Sequence, residues 1–427
     1  MRCCAPSRHR PSLPLSNFQL QTSHFHLFPF QTSNFKLHPF IFSPFKLPTS
    51  NFTLQKMMPF PYAHATADDW QEALAKVAGG LAGAPGSLGF LYVTDPVSDH
   101  LDAVLSRLRE LTGVAHWVGA VGIGVCATGV EYYEEPAIVA MLADLPAEAF
   151  RVFPPLTENT APLDDLLTDW LGPNAKPFIG LVHADPSNAH TEDLIRDIAA
   201  RTETGFLVGG LASSRDTARV VADGAAVGGV AGVMFADSVG IQTNLSQGCS
   251  PIGPHRTVTE SERNVLARID KRPALDVFFE DIGEELANDL SRVGGYIFAG
   301  LPIRGSDTGD YLVRNLIGVD QSKKLLAVGD LVAEGQEIMF CRRDAATARD
   351  DLSRMLASLR SRLNGPPRGG IYVSCLGRGV NLFGEGSAEL LQIRDELGDF
   401  PLVGFYANGE VFQHRLYGYT GVLTLFT

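Results

Sequence analysis

Apolar positions follow two periods along this chain, and the switches between them mark its elements. Residues 70–81, 99–111, 163–171, 192–201, 345–363 and 387–397 repeat apolar side chains every three or four positions, which predicts helices. In 99–111 the stripe is Leu101, Val104, Leu105 and Leu108. In 387–397 it is Leu390, Leu391, Ile393 and Leu397, with Glu385 and Glu389 near the start and Gly398 just past the end. Short unbroken apolar runs predict buried strands at 88–94, 116–122, 177–185, 370–375 and 401–406. The strand-helix-strand order of 88–122 predicts a parallel pair. The runs 218–221, 227–235 and 239–245 are split by glycine and aspartate turns and predict an antiparallel meander. Asn408-Gly409 predicts a hairpin from 401–406 into 410–416. Further strands are expected at 296–299, 311–319, 325–329, 336–342 and 416–426, and a helix starting at 274–279. The run 137–145 fits either a strand or a helix.

The pattern fails over the first 56 residues. A Ser-x-Phe-x-Leu unit recurs five times, from Ser16, Ser23, Ser33, Ser43 and Ser50, and the prolines between units block regular structure. This stretch holds six basic residues and no acid. Residues 1–57 are therefore expected to be a disordered low-complexity tail with a miscalled start, the true beginning being Met57 or Met58. A real but unstructured tail is the alternative. The remainder is a two-domain chain, with the border expected at Lys271-Arg272-Pro273: residues 58–272, then 273–427. The expected fold class is α+β, with mixed, largely antiparallel sheets flanked by helices.

Charge narrows the partners. The formal net charge of the 427 residues is −13, and −19 without the tail's six cations. Such a surface repels nucleic acid and anionic membrane, so neither is expected as a partner. The six cysteines include no Cys-x-x-Cys pair. That suits a reducing, cytoplasmic setting rather than a disulfide framework or zinc site. No His/Cys/carboxylate cluster has metal spacing, so no metal and no cofactor is expected. Phosphate-binding, nucleophile-elbow, metalloprotease and kinase motifs are lacking, so no catalytic residue is assigned.

The candidate chemistry gathers near the C-terminus. Cys375, Gly377, Arg378 and Gly379 follow a strand, and Asn408 and Glu410 follow its neighbour. Strand ends are where α/β sheets place ligands, and glycines let a ligand reach the backbone. Arg378 could clamp a carboxylate with two parallel hydrogen bonds, or hold its own turn through a structural carboxylate or backbone carbonyls. Glu410 could take an ammonium, pair with Arg378, or be a solvated turn residue. Cys375 is either a reactive thiol or a small buried hydrophobe. Ser213, in the Gly209-Gly-Leu-Ala-Ser-Ser214 stretch, could supply a wall facing Arg378. His183 and Cys249 read as core residues more readily than as site residues.

The Cys-x-Gly-Arg-Gly turn and the Gly-Phe-Tyr-x-x-Gly-Glu hairpin, with the chain before them from about residue 85, resemble the FIST family. That family comprises paired sensory domains, FIST N and FIST C, found in signal-transduction proteins. The resemblance implies that 137–145 is a strand. It also implies a sensor of small ligands such as amino acids or related carboxylates, whose signal passes to an unidentified signalling partner. A cysteine-dependent enzyme using Cys375 or Cys249, and a ligand-free interaction module, are the alternatives.

Overall fold

The computed structural model describes residues 58–303 and 310–427. The expected tail lies outside the described residues. The remainder is built from one supersecondary unit used three times.

The first unit runs β1 (Tyr62–Thr66), α1 (Trp70–Leu81), β2 (Leu88–Thr94), α2 (Leu101–Thr112), β3 (His116–Gly122), β4 (Gly124–Ala127), β5 (Val130–Tyr133) and β6 (Ala137–Ala143). The second repeats that order as β7 (Phe150–Leu156), α3 (Ala161–Leu171), β8 (Ile179–Ala184), α4 (Thr191–Ala199), β9 (Leu207–Leu211), β10 (Val220–Ala222), β11 (Ala225–Ala226) and β12 (Val230–Phe235). The third opens with β13 (Ile241–Gln247) and is then interrupted. The interruption comprises β14 (Cys249–Pro251), β15 (Arg256–Glu262), β16 (Val265–Ile269), β17 (Arg272–Pro273), α5 (Ala274–Ile282), α6 (Glu284–Asn288), β18 (Ile297–Pro302), β19 (Tyr311–Asp320), β20 (Leu325–Val328) and β21 (Glu337–Arg343). The unit then resumes with α7 (Ala345–Arg362), β22 (Gly369–Cys375), α8 (Val380–Phe383), α9 (Ala388–Leu397), β23 (Leu402–Ala407), β24 (Glu410–Gln413), β25 (Arg415–Tyr417) and β26 (Thr420–Phe426).

The three units trade hairpins in a ring. Each makes a four-stranded sheet and borrows two strands from another, giving the orders β1-β6-β2-β3-β10-β11, β7-β12-β8-β9-β24-β25 and β13-β26-β22-β23-β4-β5. The parallel pairs are β2/β3, β8/β9 and β22/β23. Each pair is joined through at least one helix, as parallel strands require. The inserted strands form a separate closed ring, β21-β15-β16-β20-β19-β18 and back to β21. The expected border at Lys271-Pro273 falls inside this barrel, where β17 pairs with β16.

Local chemistry explains the elements. Asp69 caps α1 by accepting the Glu72 amide at 2.8 Å, and Ala73, Leu74, Val77, Ala78 and Leu81 face inward at helical spacing. Asp344 caps α7 through the Thr347 amide at 2.7 Å. The strands of the parallel pairs are buried on both faces, which explains their unbroken apolar runs. One core takes Phe90, Val208, Val233, Ile371, Val403 and Phe405 from all three sheets. On the outer faces, α1 and α2 cover the first sheet, α3 and α4 the second, and α7 and α9 the third. No helix among the described residues is long and apolar enough to cross a membrane.

The α+β class, the mixed sheets and the first parallel pair match expectation, and 137–143 is a strand. Two expectations change. The predicted meander of 218–245 does not exist: β10–β11, β12 and β13 enter three different sheets. Short apolar runs split by turns look alike whether the chain folds back on itself or crosses to another sheet. Likewise, β24 leaves Asn408-Gly409 without pairing to β23. It pairs instead with β9 and β25.

Candidate ligand cleft at the strand ends

The parallel pairs carry a shared signature. Trp117-Val-Gly119, Leu207-Val-Gly209 and Leu402-Val-Gly404 occupy the same place in β3, β9 and β23. In each, a Cβ on the glycine would land on the carbonyl oxygen of the neighbouring parallel strand, at Leu91, Val182 and Tyr372. That equivalence aligns the strand ends. Thr94, Asp185 and Cys375 correspond, as do Ile123, Ser213 and Asn408. By register against these glycines, Glu410 stands where the other units place Val125 and Val220.

The third unit is thus polarised where the others are apolar. Glu410 is fully buried, and its Oε2 accepts the Thr420 amide at 3.0 Å and the Thr420 hydroxyl at 2.7 Å. Its Oε1 makes no hydrogen bond of good geometry, although the Cys375 thiol lies close enough to favour its charge. Burial pushes the carboxyl up to about 8, against the Thr420 hydrogen bonds that favour its charge. Cys375 lies beside it, 9% exposed. Burial, and then the Glu410 charge, push its thiol well above the ordinary range, and the amides of Gly377 and Tyr419 only partly oppose this.

Arg378 is also sealed. Its Nη2 and Nε meet Glu389 Oε1 at 2.7 and 2.8 Å, and Nη2 reaches Ser246 Oγ at 3.3 Å. Glu389 further accepts from Tyr372 (2.6 Å), Ser374 (3.2 Å) and the Gly379 amide (3.0 Å). The expected partner carboxylate is therefore the protein's own: the structural alternative for Arg378 is the one seen, and Nη1 alone is left without a partner. Gly379 has φ 50°, and a Cβ there would run into Tyr133, Glu131 and Tyr406, so a side chain has no room.

Two cavities open in front of these groups. The larger, about 500 Å³, is lined by Cys375, Gly377, Asn408, Arg314, Arg343 and Tyr419, among others. Arg343 Nη2 donates to the carbonyls of Gly377 and Asn381 at 2.7 and 2.5 Å, while its buried Nε has no acceptor. Arg314 is tied to Asp330 at 2.8 Å. Tyr419 adopts φ 62°, which is rare for a bulky residue, donates to Asn315 at 3.0 Å and packs its ring 4.2 Å from that of Phe298. The smaller cavity, about 380 Å³, takes Ile123, Ser213 and Asn408, one residue from each unit, so it sits where the three meet. Ser213 Oγ accepts the Ile123 amide at 2.9 Å and donates to the Tyr406 carbonyl at 2.6 Å. Leu376 and Asn408 line both cavities.

Of the sequence candidates, Cys375, Gly377 and Asn408 line the larger cavity, and Ser213 and Asn408 the smaller. Arg378, Gly379 and Glu410 stand behind them. Sequence reasoning missed Arg343, Tyr419 and the Glu389 partnership. Arg343 ends a strand of the inserted barrel, and nothing in its local sequence marks it. The thrice-used Val-Gly was a readable signal of the units. His183 is fully buried against Tyr92 at 3.1 Å, and burial lowers its imidazole to about 3. Cys249 is buried beside Cys341 in the barrel wall.

The family models divide the chain between residues 272 and 274, inside the inserted barrel and not between the units. The FIST N domain matches residues 87–272 and the FIST C domain residues 274–413. An uncharacterized protein of Mycobacterium tuberculosis (strain H37Rv) is 30% identical over 373 residues, covering 85% of this chain and 96% of that protein. An uncharacterized protein of Mycobacterium bovis is 28% identical over 374 residues, covering 84% and 97%.

Proposed function

Because the chain belongs to the FIST family, whose domains are small-ligand sensory domains in signalling, we propose that it senses an amino acid or related carboxylate metabolite in the larger cavity. The observation that carries this reading is a set of buried polar atoms without a hydrogen bond of good geometry around one strand end: Arg343 Nε, Arg378 Nη1 and Glu410 Oε1. Buried polar groups are ordinarily hydrogen-bonded, and leaving one unpaired costs about 1–3 kcal/mol. A ligand carrying both an anion and a cation would supply what they lack.

In this reading Arg343, which lines the cavity, takes the carboxylate. Glu410, which stands behind Cys375, takes the ammonium. Gly377 and Asn408 offer close backbone and amide contacts, and Ser213 fixes the wall beyond. Arg378 keeps its bond to Glu389 and holds the turn under the site, its field still favouring an anion. A partner protein reads the occupied state. The cysteine-enzyme alternative is disfavoured by the environment of Cys375, which holds sulfur as the neutral thiol.

The test is thermal unfolding of the full chain against a panel of amino acids and small carboxylates. A ligand at a hundred times its dissociation constant should add about 2.7 kcal/mol of stability. The reading expects a hit that weakens at least tenfold in Arg343→Gln and in Glu410→Gln. No shift across the panel, or a hit indifferent to both substitutions, overturns it.

A further inference from the structure

The larger cavity has an end that its arginines do not explain. Alternate residues of β19, Val313, Asn315 and Ile317, line it together with Gly329, Leu416 and Gly418. Ile317 is a large apolar side chain, yet it is 64% exposed, against 3% for Val313. Single exposed apolar residues are ordinary on a protein surface. This one lines a cavity, and two glycines keep the space around it open.

The backbone does not require those glycines. Neither Gly329 nor Gly418 has a positive φ. A Cβ at Gly329 would come no nearer than 3.4 Å to Asn315 and 3.7 Å to Ile317, and one at Gly418 no nearer than 3.5 Å to the Val313 carbonyl. The fold would accept a side chain at both, and the recess stays open because neither has one. The polar groups beside it already have partners. Arg314 donates to Asp330 at 2.8 Å and to the carbonyls of Val313 and Leu416 at 3.2 and 3.1 Å, and Asn315 accepts the Tyr419 hydroxyl at 3.0 Å. Arg343, with its buried Nε lacking an acceptor, lines the same cavity. Its amide bonds the Tyr296 carbonyl, and Phe298 stands opposite Asn315. Arg343 and Ile317 therefore lie two strands apart, about 10 Å at the usual strand spacing.

We propose that the ligand is an amino acid with a large apolar side chain, which lies in this recess against Ile317. The proposal rests on the carboxylate contact at Arg343 in the reading above. From that anchor a branched aliphatic or aromatic side chain reaches towards Ile317 and Leu416 and removes their apolar surface from water. Alanine is too short to do so. A carboxamide or carboxylate side chain would lose its water beside groups whose hydrogen bonds are already made. Arg343 thus sets the class of ligand, and Ile317 with the two glycines sets its side chain.

Isothermal titration of the full chain with L-alanine, L-leucine, L-phenylalanine and L-glutamine tests this. Leucine or phenylalanine should bind at least about tenfold tighter than alanine and glutamine, a modest share of what burying such a side chain is worth. Ile317→Asn, at an exposed position where folding is not at stake, and Gly329→Val, which fills the recess, should each lower the leucine-to-alanine affinity ratio at least about fivefold. Alanine or glutamine binding as tightly as both leucine and phenylalanine overturns the apolar class, while the amino-acid reading stands. A leucine-to-alanine ratio that neither variant changes overturns the placement against Ile317. If none of the four binds, this proposal falls, and the reading above falls with it only if the wider panel of amino acids and small carboxylates is silent too.

Discussion

Arg378 and Glu389 close on each other at 2.7 Å with neither side chain exposed. Removing one partner leaves the other charged in an apolar interior, which typically costs about 3–5 kcal/mol. Arg378→Met and Glu389→Leu should each lower unfolding stability by that order in urea titrations. The double variant should recover much of the loss, because it leaves no stranded charge. Additive losses in the double variant would show that the pair is not the organising contact of this turn.

The three equivalent glycines make a second prediction. Gly119, Gly209 and Gly404 each face a carbonyl that leaves no room for a methyl group. Alanine at any of them must push apart a parallel pair at the centre of its sheet, so losses of about 3 kcal/mol or more are expected. Gly224, in the β10–β11 turn, has nothing within 4 Å and an ordinary φ, so Gly224→Ala should be nearly neutral. Melting temperatures of the four variants, measured side by side, check this.

These glycines also show where sequence reading stops. Strands 88–94, 177–185, 370–375 and 401–406 were legible because both faces are buried and apolar residues fill all but a few positions, such as Thr94, His183, Asp185 and Ser374. Helices were legible from their stripes and caps. The destination of β4–β5, β10–β11 and β24–β25 was not, because a two-strand hairpin has the same pattern whichever sheet receives it. Pairing across nearly 300 residues, as in Cys126 against Gly404, leaves no local trace. At the site, Arg378 and Glu389 were both visible as residues. Their partnership depends on the turn at Gly379 folding the start of α9 back over β22, which spacing alone does not give.

Cys375 should behave as a quiet thiol. Burial and the Glu410 carboxyl disfavour the thiolate, and the thiolate is the form that alkylates. In the folded chain at pH 7.5, iodoacetamide should label Cys375 at least tenfold more slowly than it labels the same peptide after denaturation. Mass spectrometry of timed, quenched samples reads this directly. Labelling as fast as in the denatured chain would revive the cysteine-enzyme alternative.

Glu410 gives the stability of this fold a pH dependence of unusual sign for a carboxyl. Its folded-state value is raised from 4.5 to about 8, so the folded protein holds a proton that the unfolded chain has released. Stability from this group is therefore full below pH 4.5 and declines as pH rises towards 8, above which the buried charge must be carried. At 1.36 kcal/mol per pH unit, the span amounts to something on the order of 4 kcal/mol. Glu410→Gln keeps the shape and an acceptor for Thr420 but cannot ionise. The difference in unfolding free energy between wild type and Glu410→Gln cancels the other titrating groups, so it should shift in favour of the variant by that order between pH 4.5 and pH 8. A cation delivered to Oε1 reverses the trend, since it stabilises the ionised carboxylate. In the presence of a saturating amino-acid ligand, the wild-type decline should flatten. A difference that stays constant with pH would mean that Oε1 already has a partner, such as a buried water, and would remove Glu410 from the proposed site.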